Sequence, residues 1–126
     1  AMRDGTFTVV VTNPPFGEKL KISAKDCKAN EYGISKAAGK GKGYKDLEIG
    51  LVFLERAYRL LAPGGRIAIV LPETYFFSTS YEFVASWMEG RLIRRGEFNV
   101  PMEAFQGFCR AKTNLYVFEK VRQTKR

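Results

Sequence analysis

Residues 7–16 read Phe7-Thr8-Val9-Val10-Val11-Thr12-Asn13-Pro14-Pro15-Phe16. The first six are rich in β-branched side chains and predict a short buried strand, which stops abruptly at the stiff turn Asn13-Pro14-Pro15. Further on, Arg66-Ile67-Ala68-Ile69-Val70-Leu71 is a near-continuous apolar run, the pattern of a parallel strand covered on both faces. Between the two, Leu47, Leu51, Leu54, Tyr58 and Leu61 recur at three- and four-residue spacings, and Ile49, Val52 and Phe53 widen the stripe. That spacing predicts a helix from Leu47 to Leu61 with Asp46 as its N-cap, ended by Ala62-Pro63-Gly64-Gly65. Strand, helix, strand in this order predicts a right-handed βαβ unit and hence an α/β fold.

The rest of the chain is read around that unit. Thr79-x-x-Glu82 forms a capping box for a second helix, Ser80 to Glu89, with Gly90 as its stop. Leu92–Phe98 and Asn114–Glu119 read as third and fourth strands, joined by an aromatic loop from Met102 to Thr113. Residues 17–46 carry eight lysines and little apolar content, which predicts a long, mobile basic loop. Lys120 to Arg126 reads as a frayed basic tail.

With 126 residues the chain suits one domain, and 45% hydrophobic content is enough for a core. Lys and Arg number 21 against 13 Asp and Glu, for a net charge of +8 that favours a polyanionic partner. No apolar run approaches the roughly 18–20 residues of a membrane span, and the first residues do not form a signal peptide. These features point to the cytoplasm and away from a membrane. Met2 reads as an initiator methionine with Ala1 as a scar in front of it. The chain has no His, which excludes triads built on an imidazole base and most zinc sites, so no metal is expected. Cys27 and Cys109, 82 positions apart, suggest ordinary reduced thiols.

The chemistry is concentrated at Asn13-Pro14-Pro15-Phe16. A residue before proline is driven out of the helical region, so Asn13 and Pro14 are both extended and rigid. Pro14 and Pro15 lack an N–H, so the turn offers the Asn13 amide oxygen and backbone carbonyls while presenting few donors. A fixed set of acceptors suits a ligand that donates two hydrogens from one nitrogen, such as an aromatic amino group. Phe16 can stack on a planar ring, a contact worth ~1–3 kcal/mol for a base. The bland alternative is that Asn-Pro-Pro after a strand is simply a turn. Its place at the carboxyl end of a buried strand, where open α/β sheets bind their ligands, favours the chemical reading.

The stretch Val9 to Phe16 resembles the catalytic motif of amino-group DNA methyltransferases acting on adenine. The layout is most similar to the modification subunit of type I restriction–modification systems. The resemblance continues through the Leu47–Leu61 helix, the Pro63-Gly64-Gly65-Arg66 turn into Ile67–Pro72, and Phe98 to Phe118. In the last stretch Glu103-Ala104-Phe105 and Lys112-Thr113-Asn114 are similar to a later motif of the family, which would make Phe105 the aromatic on the other face of the base. The resemblance implies a Rossmann-like S-adenosylmethionine-dependent methyltransferase fold, with about four strands and two main helices present here. Residues 1–126 would be the C-terminal, catalytic and base-binding part of that domain.

It further implies that Asn13 and the Pro14 carbonyl accept the amino hydrogens of a flipped-out adenine, with Pro15 and Phe16 completing the site. The implied cofactor is S-adenosyl-L-methionine. Its binding residues are expected upstream of residue 1, because no glycine-rich loop follows an early strand here. This chain alone is then expected to bind it weakly or not at all and to be inactive. Implied partners are DNA and the specificity and restriction subunits of a type I complex. Lys36, Lys40, Lys42 and Lys45 are candidate contacts to DNA phosphates, against the alternative of a merely solvated face.

Two readings compete. Methyltransferases of ribosomal RNA or of protein glutamine use a similar Asn-Pro-Pro turn, although the glutamine enzymes usually carry Tyr where Phe16 stands. A non-catalytic nucleic-acid-binding module would hold a base with Asn13, Phe16 and Phe105 without chemistry. Glu73, Tyr75 and Trp87 read as structural residues. Finally, Phe7 to Thr12 carries no Lys, Pro or bulge signal between residues 8 and 12. As an edge strand it would invite a homodimer.

Overall fold

A computed structural model of the chain describes residues 3–15, 20–100 and 112–122. Strand β1 (Phe7–Thr12) lies parallel to β4 (Leu61–Pro72), with Val10 level with Ile67 and Thr12 level with Ile69. Strand β6 (Thr113–Lys120) runs antiparallel to β4 on its other side and to β5 (Leu92–Asn99) beyond it. The four-stranded order is β1-β4-β6-β5, so β1 is an edge.

Register and alternation sort the side chains of this sheet. Ile67, Ile69 and Leu71 face the same way as their partners Phe118, Tyr116 and Asn114, and all six are buried. Helix α3 (Ile49–Leu60) packs against β4 and β1, and its Leu51, Leu54 and Ala57 join the core cluster. Helix α4 (Thr74–Phe77) sets Phe76 against the Tyr116 and Phe118 rings, with centroids 4.5 and 5.7 Å apart. A 3-10 turn (Thr79–Tyr81) leads into α5 (Glu82–Met88), whose Trp87 meets Tyr58 of α3 edge-on at 5.2 Å. Trp87 is thus a core residue, as its helical spacing suggested. The opposite sheet face leaves Val9 61% and Val11 74% exposed, and no residue of β1 is buried, so the strand expected to be buried is a largely exposed edge covered on one face only.

Four local expectations are corrected. The supposed loop 17–46 is folded wherever it is described. Strand β2 (Lys21–Ile22) pairs with β3 (Leu47–Glu48), and between them lie α1 (Ala24–Ala29) and α2 (Gly33–Ala38). Its few apolar residues are the reason: Cys27, Tyr32 and Ile34 are buried in the core cluster and outweigh the surrounding lysines.

Asp46 does not cap α3. Its carboxylate accepts the Ala24 N–H at 2.8 Å, and Glu48 holds the N-cap position instead. The Thr79–Glu82 box does not form, because Ser78 caps the 3-10 turn by accepting the Ser80 N–H. Lys120 is not frayed but ends β6, its ammonium donating to the Tyr58 and Leu61 carbonyls at 3.1 and 2.8 Å.

Candidate active site

Asn13-Pro14-Pro15 leaves the sheet at the carboxyl end of β1, one step past the Thr12–Ile69 pair. Pro14 is buried while Asn13 and Pro15 are exposed. The Asn13 amide makes no hydrogen bond among the described residues, so both its oxygen and its nitrogen are available. Anchoring at Pro14 and freedom at Asn13 follow from the sequence, since the prolines fix the backbone but donate nothing to the ladder. Phe16 and Phe105 lie outside the described residues.

Alongside this turn, β4 ends at Pro72 and β6 begins at Thr113, directly opposite. A polar cluster ties the two ends together. Glu73 donates its backbone N–H to the Lys112 carbonyl at 2.8 Å, and its carboxylate lies 3.6 Å from the Lys112 ammonium. The buried Asn114 amide donates to Glu73 at 3.3 Å and to Glu97 at 3.4 Å, and lies 3.1 Å from the Tyr116 hydroxyl. Burial raises the Tyr116 pKa, an effect the Asn114 contact opposes. Thr113 Oγ1 is buried with no partner among the described residues. Glu73 therefore anchors the end of β4, in line with its structural reading.

Tyr75 is also structural. Its hydroxyl is buried, and desolvation, reinforced by the Glu48 charge, pushes its pKa well above the ordinary 10.0. Glu48 also accepts from the Tyr81 hydroxyl at 2.7 Å. Tyr75 is therefore not poised to exchange a proton at neutral pH.

The lysines proposed for DNA contact do not form one cluster. Lys36 lies on α2 and lines a cleft facing α5. Lys40 and Lys42 flank Gly41 in the turn after α2, which is closed by the Lys42 N–H to the Gly39 carbonyl. Lys45 is held through its backbone, whose N–H and carbonyl both bond the buried Ser35 hydroxyl. Arg91, which the sequence reading passed over, lines the same cleft as Lys36. Its only local signal was its place after the helix stop at Gly90.

The Eco57I restriction-modification methylase family matches residues 1–95. The chain belongs to this family. It has no match among curated proteins. Solved structures agree on the fold. A Listeria monocytogenes protein assigned to the class I S-adenosylmethionine-dependent methyltransferases superposes with a TM-score of 0.68 at 18% identity, over 94% of this chain and 33% of that one. The M protein of the type I restriction enzyme EcoKI gives 0.59 at 24%, over 90% and 20%. A chain of a type I restriction–modification system gives 0.64 at 26%, over 90% and 21%. The methylase family member described here thus has a partial class I methyltransferase fold and spans a third or less of those chains.

The loop from Gly39 to Gly43 follows a helix rather than a strand, and the outer edge of β1 has no neighbouring strand. No group of three or more acidic or Cys side chains among the described residues could hold a metal. No helix among them is long and apolar enough to cross a membrane.

Proposed function

We propose that this chain is the catalytic, base-binding part of an adenine-specific DNA methyltransferase of a restriction–modification system. The observation that carries the reading is the exposed Asn13 amide, without a hydrogen bond among the described residues, between the end of β1 and the buried Pro14 in a member of a restriction–modification methylase family. Asn13 Oδ1 and the Pro14 carbonyl accept the two hydrogens of an extrahelical adenine amino group. Two such acceptors aim the nitrogen lone pair away from the turn and stabilise positive charge as it develops on nitrogen. Neither acceptor is a useful base, so the proton leaves to solvent after transfer.

Phe16 and Phe105 stack on the two faces of the base. The methyl donor is S-adenosylmethionine, as for the Listeria structure, bound by residues outside this chain. In the full-length enzyme, partners are DNA and the specificity and restriction subunits of a type I complex.

Methyl transfer to defined substrates tests the reading. The full-length enzyme is expected to label the adenine amino group in duplex DNA. Labelling of ribosomal RNA or of a glutamine-containing peptide in its place would overturn it. Phe16→Ala and Phe105→Ala are expected to change the signal of a fluorescent base analogue at the target position, and an unchanged signal would remove the clamp.

A further inference from the structure

A cleft of about 450 Å³ opens between the α2 side of the basic segment and α5, lined by Lys36, Gly41, Gly43, Ser86, Trp87 and Arg91 among others. No carboxylate lines it, and neither Lys36 nor Arg91 has an ion-pair partner among the described residues. This differs from Arg59, Arg66, Arg94, Arg95 and Lys112, each of which is paired with a glutamate. Arg91 is held in place, its guanidinium donating to the Trp87 carbonyl at 2.7 Å and lying 5.4 Å from the indole centroid. Gly41 and Gly43 have φ of +87° and +100°, a region that favours glycine. Their N–H groups donate to nothing among the described residues, and a Cβ at either would meet open space. Two cations without an ion-pair partner among the described residues, together with Ser86 and two glycines of positive φ, line one opening, a setting that suits an anion.

We infer that this cleft binds a backbone phosphate of duplex DNA flanking the target base, which rests on the reading of the chain as a DNA methyltransferase. The cleft lies at the amino end of β5, away from the Asn13 turn. Arg91 immediately precedes Leu92, the first residue of β5, whereas Asn13 continues β1 at the level of Val70, Leu115 and Phe98. Those levels differ by roughly 20 Å, at about 3.3 Å per strand residue. The cleft grips the flank and leaves the target base to the Asn13 turn.

The test is duplex binding by the 126-residue chain as a function of salt, read by fluorescence anisotropy. Each phosphate neutralised contributes about 0.9 to the slope of log K against log salt. Lys36→Gln with Arg91→Gln is expected to lower the slope by about 0.9 and the affinity by at least ~10-fold at moderate salt. Lys25→Gln with Lys28→Gln removes the same charge from α1, outside the cleft, and is expected to leave the slope in place. Lys36→Gln alone, on an exposed side chain, should give about half the effect without disturbing the Arg91–Trp87 contact.

Equal slopes for the two double variants would overturn the cleft and leave a diffuse basic surface. Saturable binding of inorganic phosphate without duplex binding would overturn DNA as the source of the phosphate. No duplex binding by the wild-type chain would also overturn the cleft. The enzyme reading then stands or falls separately on methyl transfer by the full-length protein.

Discussion

Glu55, on α3, accepts the backbone N–H of Gly33 at 2.7 Å across 22 residues of chain, and with its other oxygen the N–H of Ile34 at 2.9 Å. Its carboxylate is nearly buried and also meets the Arg59 guanidinium at 3.0 Å. Tyr32, at the N-cap of α2, supplies no side-chain cap, so a distant residue performs that task. This contact turns the lysine-rich stretch from a loop into a layer of the domain.

Glu55→Ala is therefore expected to destabilise the chain by about 2–4 kcal/mol, because it leaves two helix-start amides without their acceptor, while Arg59 keeps the Asn30 and Glu31 carbonyls. Gly33→Ala should also destabilise, since its Cβ would come within 2.8 Å of Trp87 Nε1. Denaturant titration followed by circular dichroism checks both. A change below about 1 kcal/mol for Glu55→Ala would show that the layer is held by other contacts.

Stability should fall in alkali. Tyr75 and Tyr116 have pKa values raised above 10.0 by burial, and Cys27 above 9.0 for the same reason. A group that holds its proton more tightly when folded contributes its full stability below the unfolded value and loses it as pH rises beyond. Lys120, whose pKa burial pushes down from 10.5, acts in the opposite sense. The comparison with Tyr75→Phe isolates the tyrosine. The thermal midpoint of the wild type should drop more steeply than that of Tyr75→Phe between about pH 9 and pH 11. Parallel curves would mean that the Tyr75 proton is not coupled to folding.

The 126-residue chain is expected to self-associate through β1. That strand is the sheet edge, and Val9 and Val11 expose 61% and 74% of their surface. Unpaired N–H and C=O groups beside apolar side chains template a second strand, whereas an edge lysine blocks one. In sedimentation at increasing concentration, the mass of the wild type should climb above 14.3 kDa. Val9→Lys with Val11→Lys should hold it there. A wild type that stays monomeric throughout would contradict the edge assignment.

The strands and the long helix were legible because their signals are local. Phe7–Thr12 and Arg66–Leu71 are short runs rich in β-branched and apolar residues, and Leu51, Leu54 and Tyr58 mark one helical face, although Leu47, expected to open that helix, pairs in β3 instead. The structure moves most boundaries by one or two residues, as at Leu92–Asn99 and Thr113–Lys120, but β4 begins at Leu61, so Ala62-Pro63-Gly64-Gly65 lies inside the strand rather than in a turn before it. The basic layer was not legible. Its lysines dominate the composition, while its order depends on Cys27, Tyr32, Ile34 and the remote Glu55. Asn13 and Pro14 were readable because proline restricts its neighbour wherever it occurs. Arg91 was not, because only folding brings α5 opposite α2.

The central claim is that Asn13 acts on the adenine amino nitrogen. Its most direct test is single-turnover transfer from labelled S-adenosylmethionine to a duplex, comparing the full-length enzyme with its Asn13→Ala variant and identifying the modified base by mass spectrometry. The account predicts methylated adenine from the wild type and a rate lower by about 10²–10³ in the variant, with cofactor affinity unchanged. A near-normal rate in Asn13→Ala, or label on any base other than adenine, would contradict it.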